Sequence, residues 1–263
     1  VDKATLKPRT YRKPLVCSIG STDPTNAAGI GRDLIVYERL GAAGVFALAA
    51  VTAQNSAHVT EVYPLPPRAL RNQLDAIVQE RRPKALRIGL LPDAPLIAAV
   101  ARFLRAQPKR LPVVLDPVIS SSSGHRFLGP AELGALEGLL RLVTLVTPNV
   151  AEAQALSGIR VRTVADAERA ALHLAERGCA VLVTGGHLRG SQVVDVLADA
   201  RGLTHFSAKR IAARMRGTGC TLAAAIAVHL AQGLKLHAAI RRAREFVRSE
   251  LEAQRRARVK GRA

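Results

Sequence analysis

Apolar runs of strand length alternate with segments of helical period along most of the chain. Residues 15–19, 44–52 and 86–91 are apolar runs that read as strands. Residues 112–115 are apolar enough for the centre of a parallel sheet, covered on both faces. Residues 142–146 and 180–184 complete the series, and 59–63 form a short β-branched run placed to cover a pocket. Between these runs, apolar positions recur at helical spacing over 30–40, 68–79, 95–106, 130–141 and 165–177. The first of these helices stops at Gly41, a residue type that readily takes the left-handed backbone ending a helix. Residues 193–198 and 204–208 flank a turn near Gly202 and predict an antiparallel hairpin, and 221–232 and 236–257 predict two closing helices.

This alternation predicts an α/β protein of three layers, αβα, with a mostly parallel central sheet, helices on both faces and right-handed crossovers. Ligands of such sheets sit beyond the carboxyl ends of the strands, so the loops that follow strands are where chemistry is expected. The 263 residues suffice for a full core without disulfides or a structural metal. The serines at 120–123, followed by Gly124, read as a mobile loop. The expected organisation is a basic N-terminal extension (1–14), one domain over 15–240 and a basic C-terminal helix or tail (241–263).

Composition narrows the function classes. The chain is 48% hydrophobic and 22% charged, which fits a folded soluble protein, and aromatics at 3% with no Trp leave an aliphatic core. The formal charge is +19, but ten of the nineteen excess charges lie in 1–14 and 241–263. With no zinc-finger spacing and few stacking rings, this reads as a solvated Arg-rich surface and not a specific nucleic-acid site. No apolar run approaches the ~20 residues that span a bilayer, so no membrane partner is expected. Residues 1–14 lack the apolar core of a signal peptide, and three cysteines (17, 179, 220) without a CxxC fit a reducing cytoplasm.

Five segments after strands carry candidate chemistry. Arg216, Gly217, Thr218, Gly219, Cys220 and Thr221 lead into an Ala-rich helix. Two glycines and a helix start would turn unpaired amides toward one point, a cradle for an anion such as a phosphoryl group. Cys220 at that start is expected to have a lowered thiol pKa; the plain alternative is a glycine turn with a buried cysteine. Asn149 and Glu152, three apart, suit a hard cation such as Mg²⁺ held mainly through water, or else are a helix cap with its first-turn acid. Asp116 ends the most apolar strand, where a metal- or phosphate-facing acid would sit; the alternative is a strand-to-turn Asp-Pro. Gly20 to Pro24 and Gly29 to Asp33 follow the first strand but form neither a Walker loop nor a complete GxGxxG, since Leu34 stands at the last glycine position. Asp33 there either faces the pocket as an acceptor or is solvated. Thr184, Gly185, Gly186 and His187 would let backbone approach a nucleotide phosphate, with His187 structural. The absence of HExxH and GxSxG motifs argues against zinc and serine hydrolases.

In order and spacing, Gly20 to Pro24, Ala28 to Ile30, Asp33, Gln54, Arg87 to Leu91, Val114 to Val118, Thr147 to Asn149, Glu152, Gly185 to Leu188 and Gly217 to Thr221 resemble the ribokinase-like superfamily. Cys220, where most relatives carry aspartate, narrows the resemblance to the hydroxymethylpyrimidine/phosphomethylpyrimidine kinases of thiamin biosynthesis. The resemblance implies transfer of the γ-phosphoryl of ATP to 4-amino-5-hydroxymethyl-2-methylpyrimidine or its monophosphate. It implies a pyrimidine pocket lined by Gly20, Asp33, Gln54 and Val118, and a catalytic anion hole of Gly217, Thr218, Gly219 and Cys220. It further implies Mg²⁺ organised by Asn149 and Glu152 with Asp116 nearby, nucleotide contacts from Thr184, Gly186 and Arg216, and a homodimer. Two family lysines are replaced, by Ser122 and Thr184, and Arg216 stands where a histidine is usual. Pyridoxal kinase, on the same scaffold, and a weakened pyrimidine-binding relative are the alternative readings.

Overall fold

The computed structural model describes residues 13–107, 111–121, 123–213 and 215–260. The chain enters at β1 (Leu15–Ser21), crosses through α1 (Gly29–Arg39) to the parallel β2 (Ala43–Gln54), and returns antiparallel as β3 (Val59–Pro64). Helix α2 (Pro67–Glu80) carries it to the other side of β1. There β4 (Ala85–Ile88), α3 (Ala94–Arg105), β5 (Val113–Leu115), α4 (Pro130–Leu140), β6 (Leu145–Val146), α5 (Val150–Ser157), α6 (Val164–Ala175) and β7 (Ala180–Val183) follow one another outward. The hairpin β8 (Gln192–Asp199) and β9 (Gly202–Lys209) forms that edge, and α7 (Thr218–Ala231) and α8 (Leu236–Lys260) end the described chain. The nine strands make one sheet in the order β3-β2-β1-β4-β5-β6-β7-β8-β9, parallel from β2 to β7. The expected three-layer α/β architecture is therefore present. No helix among the described residues is long and apolar enough to cross a membrane.

Strand order reverses between β1 and β4, the switch point at which such sheets open a crevice beyond their carboxyl ends. Gly20 and Gly89 meet there; a methyl on Gly20 would lie 3.6 Å from the Gly89 Cα. The two faces of the sheet follow the two-residue period of strands. Cys17, Ile19, Leu86, Ile88, Val113 and Leu115 point to one core, shared with Leu70, Leu74, Leu96 and Leu139 of the helices. Val16, Ala85, Val114 and Leu145 point to the other, against the Ala-rich α7, whose Leu222 to Val228 are all buried. Continuing the same parity toward the carboxyl ends places Ser18, Arg87 and Asp116 on the α7 face. Ser18 and Arg87 are direct neighbours across β1 and β4.

Several boundaries differ from the sequence reading for identifiable reasons. The strand expected over 86–91 ends at Ile88, because Gly89 to Leu91 turn away at the switch point, and that over 142–146 shrinks to Leu145–Val146 because Leu142 and Val143 still bond to the last turn of α4. Helix α7 begins at Thr218, three residues early, so the cradle residues are its first turn. Helix α8 runs unbroken through the boundary drawn at 240/241. The serine loop is a hydrogen-bonded turn in its described part: Ser121 N donates to His125 O (2.8 Å) and Gly124 N to Ser121 O (3.0 Å). Ser122 itself and residues 1–12 of the N-terminal extension lie outside the described residues.

Candidate active site

The first turn of α7 has its amides set by two glycines. Gly217 has φ +70°, and a Cβ there would meet the Ala27 carbonyl oxygen at 1.9 Å, so neither its backbone nor its surroundings accept a side chain. The first intrahelical bond is Thr221 N to Gly217 O (2.8 Å), which leaves the amides of Thr218, Gly219 and Cys220 ahead of the ladder. Gly219 is exposed and Cys220 partly so, hence this turn opens outward. The β1–α1 loop packs against it. Asp23, wholly buried, accepts from Thr25 N (2.9 Å), Thr25 Oγ1 (2.8 Å) and Ala28 N (3.0 Å), and Arg216 reaches its Oδ2 at 3.7 Å. Arg216, read as a nucleotide contact, thus closes onto Asp23 in this structure.

Below the turn lies a buried polar network. Ser18 Oγ donates to Asp33 Oδ2 (2.8 Å) and shares a 2.6 Å hydrogen bond with the Tyr37 hydroxyl. Arg87, 1% exposed, sends Nη1 to Asp33 Oδ2 at 3.2 Å and Nη2 onto Asp116 Oδ2. One guanidinium therefore joins Asp33 at the β1–β4 crevice to Asp116 beneath the cradle. Asp33 is buried, not solvated, and burial raises its pKa to about 6 even though Arg87 and Ser18 pull it down. Asp33 Oδ1 has no protein partner, an unspent acceptor in the interior. The lowered thiol pKa expected for Cys220 is corrected: the residue is partly exposed but its thiol points inward, and that burial, followed by the adjacent Asp116 carboxylate to which the thiol hydrogen-bonds, pushes it well above the ordinary value. The helix start supplies only a partial positive charge, too little against desolvation beside an anion.

Asn149 and Glu152 form a reciprocal cap at the start of α5. Asn149 Oδ1 accepts from Glu152 N (3.1 Å) and Glu152 Oε2 accepts from Asn149 N (2.9 Å). Pro148 precedes the helix without opening it, and the plain alternative to the metal reading describes the geometry. Glu152 Oε1 also accepts from Ile119 N at 3.4 Å. Burial and then Asp116 raise the Glu152 pKa to about 8. Two buried carboxylates, Asp33 and Asp116, share the Arg87 guanidinium, and the third, Glu152, faces Asp116 without an ion-pair partner among the described residues, so a cation there would relieve the crowding of the two acids. No group of three His, Cys, Asp or Glu that could enclose a metal occurs among the described residues. The donor set fits a hard ion held largely through water, and not a protein cage.

Thr184 meets Asn149 directly: the two pair as an isolated bridge, and Thr184 N donates to Pro148 O (2.9 Å). Gly186 is exposed, and its carbonyl accepts from Arg210 Nη1 (2.7 Å). A cavity of about 490 Å³ lined by Val150, Val161, Arg162, His187, Leu188 and Arg189 opens beside this junction and includes no residue of the Gly217 turn. Gln54 ends β2, half-buried beside β3, where the strand pairing shifts register. Val118 is half-buried and packs on the core, its amide donating to Asp116 O (2.9 Å). The structure gathers Gly20, Asp33, Asp116, Arg216, Gly217, Gly219 and Cys220 around the switch point, pairs Asn149 with Thr184 on the next strands outward, and sets Glu152 of α5 toward Asp116. The sequence reading gave no role to Ser18 and Tyr37 and used Arg87 only for resemblance. The available signal was an arginine in Ala-Leu-Arg-Ile, a strand otherwise apolar, since a charge buried there must find partners.

The comparisons agree with this geometry. The pattern describing the phosphomethylpyrimidine kinase family matches residues 23–261. The hydroxymethylpyrimidine/phosphomethylpyrimidine kinase of Rhizobium meliloti is 38% identical over 243 residues, covering 91% of each chain. The crystal structure of phosphomethylpyrimidine kinase from Clostridium difficile superposes with a TM-score of 0.80 at 29% identity, over 90% of this chain and 99% of that one. Pyridoxal kinase from Staphylococcus aureus, solved with AMP-PCP, gives a TM-score of 0.83 at 28% identity, over 91% and 88%. A parallel sheet with its polar cluster at the switch point, and a match over nearly the whole length, place the chain in the phosphomethylpyrimidine kinase family.

Proposed function

We propose that the protein transfers the γ-phosphoryl group of ATP to the hydroxymethyl group of 4-amino-5-hydroxymethyl-2-methylpyrimidine or of its monophosphate, in thiamin biosynthesis. The observation that carries the site assignment is the open first turn of α7 seated over the Asp33–Arg87–Asp116 bridge. Its free amides suit the charge that develops on a migrating phosphoryl group, and fixed dipoles aimed there need no reorganisation during transfer. The unpartnered Asp33 Oδ1 suits the amino edge of a pyrimidine in the β1–β4 crevice, with Gly20, Gln54 and Val118 as the remaining walls. Cys220 serves as a thiol and not as a resting thiolate. It hands its proton to Asp116 as it takes the one leaving the acceptor hydroxyl, so charge and protons balance. Thr184, Gly186 and Arg216 face the nucleotide, Arg216 after leaving Asp23. Mg²⁺ would be held through water by Asp116 and Glu152, with Asn149 keeping Glu152 in place; when bound it neutralises phosphate charge. A cytoplasmic homodimer belongs to the same reading, supported by Phe46 and Val51 exposed on β2 and Tyr63 exposed on the edge strand β3.

The test is ADP release with Mg²⁺ and, in turn, the pyrimidine alcohol, its monophosphate and pyridoxal. Turnover of either pyrimidine, lost in Cys220→Ala at unchanged melting temperature, is the expected result. Turnover of pyridoxal alone, or full activity in Cys220→Ala, overturns the assignment.

A further inference from the structure

Helix α8 contributes no residue to the site described above, and its second half reads from sequence as a basic tail. Two of its side chains are nevertheless the outer ends of hydrogen-bonded relays that run to the phosphate-facing turns. Glu250 Oε2, its side chain 9% exposed, accepts from Arg32 Nη2 at 3.0 Å. Arg32 Nε donates to Thr221 Oγ1 at 2.9 Å, and Thr221 Oγ1 donates to the Gly217 carbonyl at 2.8 Å. Every donor in this relay meets an acceptor, so it has one direction and ends on the residue whose backbone sets the cradle. Arg244 Nε donates to Asp195 Oδ2 at 2.7 Å, while Asp195 Oδ1 accepts from Gly185 N at 2.8 Å. Gly185 has no room to relax, since a Cβ there would meet Val194 O at 1.9 Å.

We infer that α8 is a brace for phosphoryl transfer: Glu250 is a positioning residue for the Gly217–Cys220 turn, and Arg244 one for the Gly185 turn. The inference rests on reading those turns as phosphate-facing. Catalysis by fixed amides is sensitive to placement, and a shift of about 1 Å costs about 100-fold. Glu250 also holds Arg39 Nη1 at 2.6 Å, but Arg39 is half-exposed and lies on no path to the cradle. That branch supplies an internal control.

The experiment measures kcat, KM and melting temperature for Glu250→Gln, Thr221→Val, Arg39→Met, Arg244→Gln, Arg244→Lys and Gly217→Ala with the pyrimidine substrate. Glu250→Gln and Thr221→Val should each lower kcat about tenfold with the pyrimidine KM nearly unchanged, and the double variant should be no worse than either alone. Arg39→Met should keep the wild-type kcat. Arg244→Gln should raise KM for ATP about fivefold, with partial rescue by Arg244→Lys. Wild-type kcat in both Glu250→Gln and Thr221→Val, or an equal loss in Arg39→Met, overturns the inference if Gly217→Ala is inactive. Full activity in Gly217→Ala overturns the reading of the cradle beneath it.

Discussion

Replacing Arg87 by methionine is the sharpest test of the buried network. The side chain is 1% exposed and serves two carboxylates, 0% and 7% exposed, so its removal strands both. Breaking a buried pair by removing one partner costs about 3–5 kcal/mol. Proton uptake limits that cost for Asp33. Its pKa is already about 6, so neutralising it at pH 7 costs on the order of 1 kcal/mol, and less once the guanidinium that lowers the pKa is gone. Most of the loss then falls on Asp116. We expect about 3 kcal/mol at pH 7, which lowers the melting temperature by about 10 °C and leaves a folded protein.

The pH dependence identifies the cause. In the wild type the native state sheds the Asp33 proton near pH 6, whereas in Arg87→Met it holds that proton to higher pH. The stability difference should therefore grow as pH rises and shrink by at least about 1 kcal/mol between pH 8 and pH 5. Urea unfolding followed by circular dichroism at pH 5, 6, 7 and 8 measures it. Arg87→Lys keeps the charge but loses the fork that reaches two carboxylates, and should fall between. A loss below about 1 kcal/mol at pH 7, or one that does not vary with pH, would refute the account of Arg87 as the shared counter-ion.

Three further outcomes follow from the same geometry. Gly217→Ala should lose about 100-fold or more in kcat, because φ +70° and the Ala27 carbonyl at 1.9 Å force the turn to move; near-wild-type turnover would contradict the cradle. Glu152 is held at a pKa of about 8 by burial and Asp116, so its contribution to stability is present below pH 4.5 and is lost as pH rises to about 8. Relative to Glu152→Gln, the wild type should lose stability progressively across that window and then level off; parallel curves would show that Glu152 ionises normally. Asp33→Asn removes an acceptor that faces no protein donor, and should raise the pyrimidine KM about tenfold or more while leaving KM for ATP unchanged; titration with each substrate separates the two.

The contrast between Arg87 and Cys220 shows what a sequence can and cannot carry about a site of this kind. The alternation of strands and helices, the mostly parallel sheet and the end of it that carries the chemistry were legible because each follows from a local pattern: apolar runs, the Gly41 stop, and loops after strands; the strand order was not. The glycine requirement at 217 was legible for the same reason. The thiol pKa was not, since it depends on Asp116, about a hundred residues away, and on how deeply α7 sinks onto the sheet. The capping box of Asn149 and Glu152 was written in the sequence, but whether its carboxylate also faces a second acid depends on tertiary packing. Arg87 lies between these cases. A lone cation in a central strand announces that buried anions exist, and strand parity places it on the α7 face, yet only the fold tells which two carboxylates it serves. Because one of those two comes from helix α1 and the other from the loop after β5, a single guanidinium ties the two halves of the site together. The shared counter-ion therefore acts on geometry as well as on charge: it holds the α1 acid and the β5-end acid at a fixed separation.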